Sequence, residues 1–477
     1  MNTPWVTMLI FLVLIVASTS CRTMLRPQRQ EHSPALPERF TADPTGPKGE
    51  GAEHDWWTAF GSPELTRLVE SALTGNLSIV QVKARLRQAR AVARQSLASR
   101  RLQASVDSSA STVRSKTAGV SSTSEEYGLG FAASYEIDLW GGVRAGEESA
   151  AARASAAYAD LQAARITVAA SVAETWLAGV AQQGQILLLE EQLKTNTNVL
   201  NLLKLRQRRA LATALDVYQQ EQAVASTESL LAPATDDLQL IRHKLNILLG
   251  TAAGSDLPPF PAVLPVLPAR PVAGVPSDLL ANRPDVTAAW SRLSAADWNV
   301  AAARADRLPA ISLTGRLSMS SDKVADLFDN WLANLAAGLA APLLDGGRLR
   351  AEVDRTMSVS HELLAAYSET VLAAIKEVED AIVREHRQLV FLAALEKEHA
   401  AASSALGEAE RRYRNGATDY LNVLSALSGR QRLDRTLLAA TQDLLEYRVS
   451  LYRALASGWA EVNLNSKKVT IRAELER

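Results

Sequence analysis

Between Tyr127 and Leu139 apolar and polar residues alternate without a break. Tyr127, Leu129, Phe131, Ala133, Tyr135, Ile137 and Leu139 fall on one side; Gly128, Gly130, Ala132, Ser134, Glu136 and Asp138 fall on the other. A period of two predicts a strand with one apolar and one polar face. Leu102, Ala104 and Val106 alternate in the same way with Gln103, Ser105 and Asp107. In the second half Ile311, Leu313, Leu317 and Met319 alternate with Ser312, Thr314, Arg316 and Ser318, and Trp331 to Leu343 supplies a fourth apolar face. One hairpin per half is predicted, with the polar stretches Ser115 to Ser124 and Ser320 to Asp329 as loops. At about 3.3 Å per residue the longest strand reaches roughly 40 Å, more than an outer-membrane apolar band of about 25 Å. A soluble sheet with one wet face has the same pattern. Four strands cannot close a barrel of useful bore, and lipid does not tolerate open edges, so several chains would share one barrel. Three copies would give about 12 strands.

After each hairpin the period lengthens. Neither Gly142 to Arg209 nor Gly347 to Asn415 contains a proline. Val371, Ile375, Val378, Ile382, Leu389 and Leu392 step by three, four and seven, a heptad seam. Helices of this length span on the order of 100 Å. They are predicted to project as a coiled-coil tube or rod. Each turns, at Ala210 to Ala214 and at Asn415 to Asp419, and a second helix returns over Leu215 to Leu249 and Tyr420 to Leu455. Pro63 to Ala104 is also helical in pattern, and Gly254 to Pro276, with seven prolines, is a surface connector.

The chain is duplicated at a spacing of about 206 residues. Leu211-Ala212-Thr213-Ala214-Leu215-Asp216-Val217 is answered by Ala417-Thr418-Asp419-Tyr420-Leu421-Asn422-Val423. Tyr135 to Arg144 is answered by Ala341 to Arg350, and Asn76 to Val106 by Arg283 to Leu313. The period is too long for a solenoid unit, so two similar halves are expected to pack side by side.

Composition narrows the function. With 51 Lys+Arg against 52 Asp+Glu, the charge balance gives no reason to expect nucleic acid as partner. Aromatics at 5% suit close-packed helices. The one cysteine, Cys21, follows an apolar stretch from Trp5 to Ala17 that is too short to span a bilayer and suits a signal peptide. Ala17-Ser18-Thr19-Ser20-Cys21 resembles a bacterial lipoprotein signal, although Met1 to Pro4 lacks Lys and Arg and Ser18 stands where leucine is usual. The alternative is an ordinary signal peptide cut near Ser20. The six histidines form no metal-ligand motif, and Glu377, Glu379 and Asp380 read as a wet helical face rather than a metal site. No phosphate loop or nucleophile elbow is present, so neither cofactor nor enzyme activity is expected.

Several motifs together carry a resemblance. Leu279-Leu280-Ala281-Asn282-Arg283-Pro284-Asp285-Val286, Tyr135 to Gly141, Leu344 to Arg348, Tyr413-Arg414-Asn415-Gly416 with Tyr420-Leu421, and Leu451 to Leu455 ahead of Gly458-Trp459 occur in order. The chain from about Asp55 to Trp459 resembles the TolC/OprM family of bacterial outer-membrane efflux proteins, in its NodT-type lipoprotein branch. The resemblance implies a mainly α protein with a β-barrel: four strands per chain in a trimeric 12-stranded barrel, a long periplasmic helical tunnel and a small equatorial region. It implies an exit duct for small toxic compounds, working with a periplasmic adaptor and an inner-membrane transporter, usually of the resistance-nodulation-division class. The domains expected are a signal peptide over 1–20, a lipidated tether over 21–54, a first repeat over 55–250 (hairpin about 102–140), a connector over 251–276, a second repeat over 277–460 (hairpin about 310–345) and a tail over 461–477.

Carried over by position, the periplasmic gate would comprise Asp216, the linking Tyr413, the constricting Leu421, and Thr418 where one branch has a basic residue. Asn422 and Ser425 stand at two positions that are acidic in the family, with Asp419 as a nearby acid. For Asp216 an N-terminal helix carboxylate is an equal reading; for Tyr413, packing between helices. The turns at Ala210, Leu211, Ala212 and Thr213, and at Asn415, Gly416 and Ala417, would dock the adaptor. Ala210 stands where its partner is glycine, which predicts a tighter or differently shaped first turn. Asp107, Glu136, Asp138 and Arg316 would line the barrel lumen. Two other functions fit the architecture: a type I secretion duct for polypeptides, and a non-conducting periplasmic scaffold. Four amphipathic strands argue against the scaffold.

Overall fold

The computed structural model describes residues 37–42, 55–277, 279–280 and 283–456. Cys21, the signal peptide, most of the tether and the tail over 461–477 lie outside the described residues. Within them the chain builds a four-stranded sheet on a long helical wall.

The sheet has the order β1 (Gln103–Thr117), β2 (Val120–Ile137), β3 (Ala310–Ser321), β4 (Trp331–Ala340), antiparallel throughout, with β1 and β4 as its edges. The register puts Val106, Phe131, Leu317 and Ala333 in one row, and Tyr135, Leu313 and Ala337 in another. The alternating rows carry Ser105, Ala132, Arg316 and Asn334. The alternating apolar positions of the four strands therefore share one face, as the period of two requires, with Leu332 as an exception in the row of Asp107, Gly130 and Ser318.

Two boundaries differ from expectation. Ser115 to Ser124 is strand rather than loop, because β1 and β2 continue to a two-residue turn at Ala118 (φ 49) and Gly119 (φ 89). Two successive left-handed residues give a turn whose twist matches the strands. Ser and Thr suit a wet strand as well as a loop, so composition alone misplaces the turn. β4 stops at Ala340 rather than at Leu343, just before Pro342, which has no N–H for the ladder.

The helices are α1 (Pro63–Gly75), α2 (Leu77–Ala98), α3 (Gly142–Arg208), α4 (Ala214–Leu249), α5 (Pro284–Ala305), α6 (Arg348–Arg414) and α7 (Tyr420–Ala454). α3 and α6 each run for 67 residues, on the order of 100 Å. They form the uprights of a wall one helix thick. α2 and α4 pack along one side of α3, α5 and α7 fill the space between α3 and α6, and α1 packs on α3 and α4. Among the described residues no helix is long and apolar enough to cross a membrane.

The shorter helices meet end to end at joints that repeat. The Asn76 side chain donates to Leu248 O (2.8 Å) and caps α2 through the amides of Ser78 and Ile79. The equivalent Arg283 donates to Ala454 O (2.8 Å) and is held by Asp285 and Glu377. These bonds satisfy carbonyls that a helix end leaves orphaned. Arg283 belongs to the signature motif, and its place in this joint is what the motif builds. Glu379 accepts from the backbone amides of Thr41 and Ala42, and Phe40 (2% exposed) sits among Val371, Val378, Ile382 and Leu451. With Lys376 on Asp380, each member of the sequence's acidic cluster has a partner. The connector is pinned where Arg448, paired with Glu385 (2.8 Å) in a buried ion pair, donates to Pro268 O.

Candidate functional site

At each strand-to-helix junction a carboxylate aims the long helix. Asp138 lies one residue beyond β2, so it is not on the strand face expected of it. It accepts from the amides of Val143 (3.1 Å) and Arg144 (2.8 Å) at the start of α3. Asp345 does the same for Gly347 (3.0 Å) and Leu349 (2.8 Å), and these two amides hold its carboxyl below the usual range. Negative charge at a helix N-terminus offsets the macrodipole.

On the polar face of the sheet, Asp107 of β1 reaches Arg316 of β3 (3.6 Å) across β2. Gly130 opposite Asp107 makes this possible, since a Cβ there would meet the carboxylate at 2.6 Å. Glu136 pairs with Ser312 on that face. The other face presents Val106, Phe131, Trp331, Leu335 (77% exposed) and Leu339 to the outside of the chain. Tyr127 marks its upper end on β2: beyond it, β1 and β2 carry mainly Ser, Thr, Glu, Lys and Arg. Ten residue steps separate Ile137 from Tyr127. That is about 33 Å of strand, or about 25 Å of height at a barrel tilt near 40°. The apolar strip thus has the height of an outer-membrane hydrocarbon band.

The far end of the wall is a pair of closed tips. Leu200 and Leu203 of α3, Val217 of α4, Leu406 of α6 and Tyr420, Val423 and Leu427 of α7 form one buried cluster, which joins both hairpins. At the first tip Ala210 adopts φ 56, and Leu211 N donates to Arg206 O (2.9 Å). At the second, Gly416 adopts φ 71, and Ala417 N donates to Arg412 O (2.9 Å). The two turns therefore have the same shape, contrary to the expectation for Ala210. The hydrogen bonds that close the turn hold alanine in a conformation that glycine takes without steric cost.

Asp216 forms a capping box with Thr213: Asp216 N donates to Thr213 Oγ1 (3.1 Å), and Thr213 N to the Asp216 carboxylate (2.8 Å). The second tip departs from this. Asp419 makes no side-chain cap, and Asn422 donates to Thr418 Oγ1 (2.7 Å). Leu421, Asn422 and Ser425 lie together on the exposed face of the first turns of α7, whereas Ala212 is half-buried. Tyr413 is half-buried between the hairpins. Its ring meets Tyr420 edge-on (5.6 Å between centroids), and the Arg206 guanidinium of α3 stacks on it at 4.8 Å. Burial pushes both tyrosine hydroxyls above their ordinary pKa. Arg206, Tyr420 and Gln220, whose side-chain oxygen accepts from Tyr420 OH, are contacts that sequence reading missed. Leu215, equally exposed, could have been found as the repeat equivalent of Leu421. Among the described residues no group of His, Cys, Asp and Glu could hold a metal.

A sheet with one lipid-suited face, carried on a stalk of paired helices, is built to sit in a membrane and project from it. The comparisons place it. Residues 68–251 and 275–457, one segment in each half, match the outer membrane efflux protein family, and the chain belongs to that family. It is 34% identical over 432 residues to the pyoverdine export outer membrane protein OpmQ of Pseudomonas putida, with 87% of this chain and 91% of that protein covered. It is 28% identical over 459 residues to nodulation protein T of Rhizobium leguminosarum bv. viciae, with 96% and 94% covered. The solved structure of the outer-membrane channel OprN superposes with a TM-score of 0.82 at 27% identity, covering 92% of this chain and 100% of that one. VceC of Vibrio cholerae superposes at 0.79 and 26% identity, covering 86% and 100%. The chain is an outer-membrane efflux protein.

Proposed function

We propose that three copies of this chain close into one duct through which small compounds leave the periplasm, delivered by a periplasmic adaptor and an inner-membrane transporter of the resistance-nodulation-division class. The observation that carries this reading is the pair of open edges. β1 and β4 are unpaired on their outer sides, and the helical wall ends at α4 on one side and α6 on the other. Leu230, Leu240 and Ile247 on α4 and Leu389, Val390 and Phe391 on α6 are exposed apolar residues there. Lipid does not tolerate the strand edges, and water does not favour the helix edges. Joining each edge to the opposite edge of the next copy satisfies both, and three copies give about 12 strands.

In that assembly Asp107, Glu136 and Arg316 face the lumen, while Asp138 sits at its lower rim. Asp216, Tyr413, Thr418, Asp419, Leu421, Asn422 and Ser425 form the periplasmic constriction, and the turns at Ala210–Thr213 and Asn415–Ala417 receive the adaptor. With Asn422 and Ser425 the constriction offers hydrogen bonds rather than full charges. Relatives named for pyoverdine export and toluene efflux support small-molecule cargo over polypeptides. Lipidation of Cys21 would add a second hold on the outer membrane. Purified protein in planar bilayers is expected to conduct ions, with small or rare events until the periplasmic end is opened. A correctly folded assembly that never conducts, even when opened, would defeat the proposal.

A further inference from the structure

The strands of the sheet carry three cations, Arg114 and Lys116 on β1 and Arg316 on β3. Arg316 is on the polar face, where it meets Asp107. Arg114 and Lys116 are on the other one. The register sets Val106 against Phe131, Ala110 against Tyr127, Arg114 against Thr123 and Lys116 against Ser121, and alternate residues of a strand share a face. The row that forms the apolar strip therefore continues above Tyr127 as Thr112, Arg114 and Lys116 on β1, and as Glu125, Thr123 and Ser121 on β2.

Above Tyr127 the two faces exchange character. Val113 and Val120 (72% exposed) fall on the face that holds Asp107 lower down, and the cations fall on the face that holds Phe131. Among the described residues no ion pair engages Arg114 or Lys116. The one acid of their face, Glu125, accepts from Tyr127 OH (3.3 Å). β2 parts from β3 above the pair Tyr127–Ser321, so residues 120–126 pair with β1 alone, and all of them are exposed. A lone two-stranded ribbon is marginally stable in water.

In an outer-membrane protein whose helices lie in the periplasm, this ribbon rises from the outer leaflet. Thr123 lies four residue steps above Tyr127, and Ser121 six. At about 3.4 Å per residue and a tilt near 40°, Arg114 and Lys116 stand about 10 and 15 Å above the apolar strip. The polar layer of a phospholipid leaflet is only about 5–8 Å deep. The cations stand at the height of a thicker layer, on the side turned away from the lumen.

We propose that Arg114 and Lys116 dock the phosphate groups of lipopolysaccharide, the phosphorylated glycolipid of the outer leaflet, with Thr112, Ser121 and Thr123 as hydroxyl donors beside them. Arginine matches phosphate with two parallel hydrogen bonds, and lysine as a point charge. The face is continuous with the apolar strip, so acyl chains cover Phe131 and Leu335 while the phosphorylated sugars above them meet the cations. The contact covers the ribbon and sets the height of the sheet in the membrane. It rests on the reading that three copies share one barrel with this face outward.

The test uses full-length protein purified in detergent. It is titrated with deep-rough lipopolysaccharide, and with the same glycolipid stripped of phosphate by hydrofluoric acid, while light scattering reports the mass of the assembly. The wild type is expected to bind the phosphorylated form roughly tenfold or more tightly, the scale of two cations near an anionic surface. Arg114→Gln combined with Lys116→Gln is expected to lose that preference, and Arg114→Lys to keep it. A further variant combines Val113→Arg, Arg114→Val, Ser115→Lys and Lys116→Ser. It keeps composition and net charge but turns both cations to the lumen, and is expected to bind as weakly as the glutamine variant, which decides the matter if this one fails to fold. The proposal is overturned if the wild type does not distinguish the two glycolipids, or if the exchanged variant binds as the wild type does. Unaltered binding with a lowered unfolding midpoint in the glutamine variant would overturn it in favour of a neighbouring copy's acidic β3–β4 loop (Asp322, Asp326, Asp329) as the partner. A stable monomer would defeat the shared barrel, whereas a three-chain assembly without phosphate preference defeats only this site.

Discussion

Ala210 and Gly416 hold the same left-handed turn, one with a side chain and one without. For an L-residue that conformation costs about 1–2 kcal/mol, and glycine escapes it. Ala210→Gly is therefore expected to stabilise the protein by about 1 kcal/mol, and Gly416→Ala to destabilise it by a similar amount. Unfolding midpoints of the two variants, moving in opposite directions, would check this. Asp216 is bound into a helix cap at the same tip, which is the local one of the two roles weighed for it. The second tip spends its polar groups differently. Thr418 and Asn422 bond to each other, and Asp419 carries a charge that no cap uses.

At the scale of elements, the sheet divides its residues by parity. Leu335 and Ala336 are neighbours on β4 with opposite faces and opposite tolerances. Leu335→Arg places a charge on the apolar face near mid-height, where it is expected to cost about 2–4 kcal/mol. Ala336→Arg points to the face that carries Asp107 and Arg316, and is expected to leave stability within about 0.5 kcal/mol. Urea unfolding from lipid vesicles separates the two outcomes. Equal penalties would mean that neither face meets lipid. The helices divide by length instead. α3 and α6 run unbroken, while α4 with α2, and α7 with α5, cover the same height in two pieces riveted by Asn76 and Arg283.

For the whole molecule, the unpaired edges β1 and β4 and the apolar flanks of α4 and α6 set the expected assembly. The purified protein in detergent should have the mass of three chains by light scattering, and a stable monomer would contradict edge-to-edge closure. Cys21→Ala should remove an acyl mass from the mature protein and leave the three-chain mass intact. An identical mass spectrum for wild type and variant, apart from the substitution, would exclude the anchor.

The sequence by itself determined the faces, the duplication and the tips. A period of two in Tyr127 to Leu139 sets one face of a strand apart from the other, and a proline-free stretch of nearly 70 residues in each half leaves a long helix uninterrupted. It also misread what depends on partners distant in the chain. Ser115 to Ser124 became strand because β1 and β2 satisfy each other's backbone. Asp138 became a helix cap because the turn at Leu139 to Gly141 brings the α3 amides to it. Only the tertiary structure brought Asn196 to Gln431, 235 residues away, and Arg206 to Tyr413. A buried amide on a helix has no periodic signature: its value lies in the one partner that folding places opposite it.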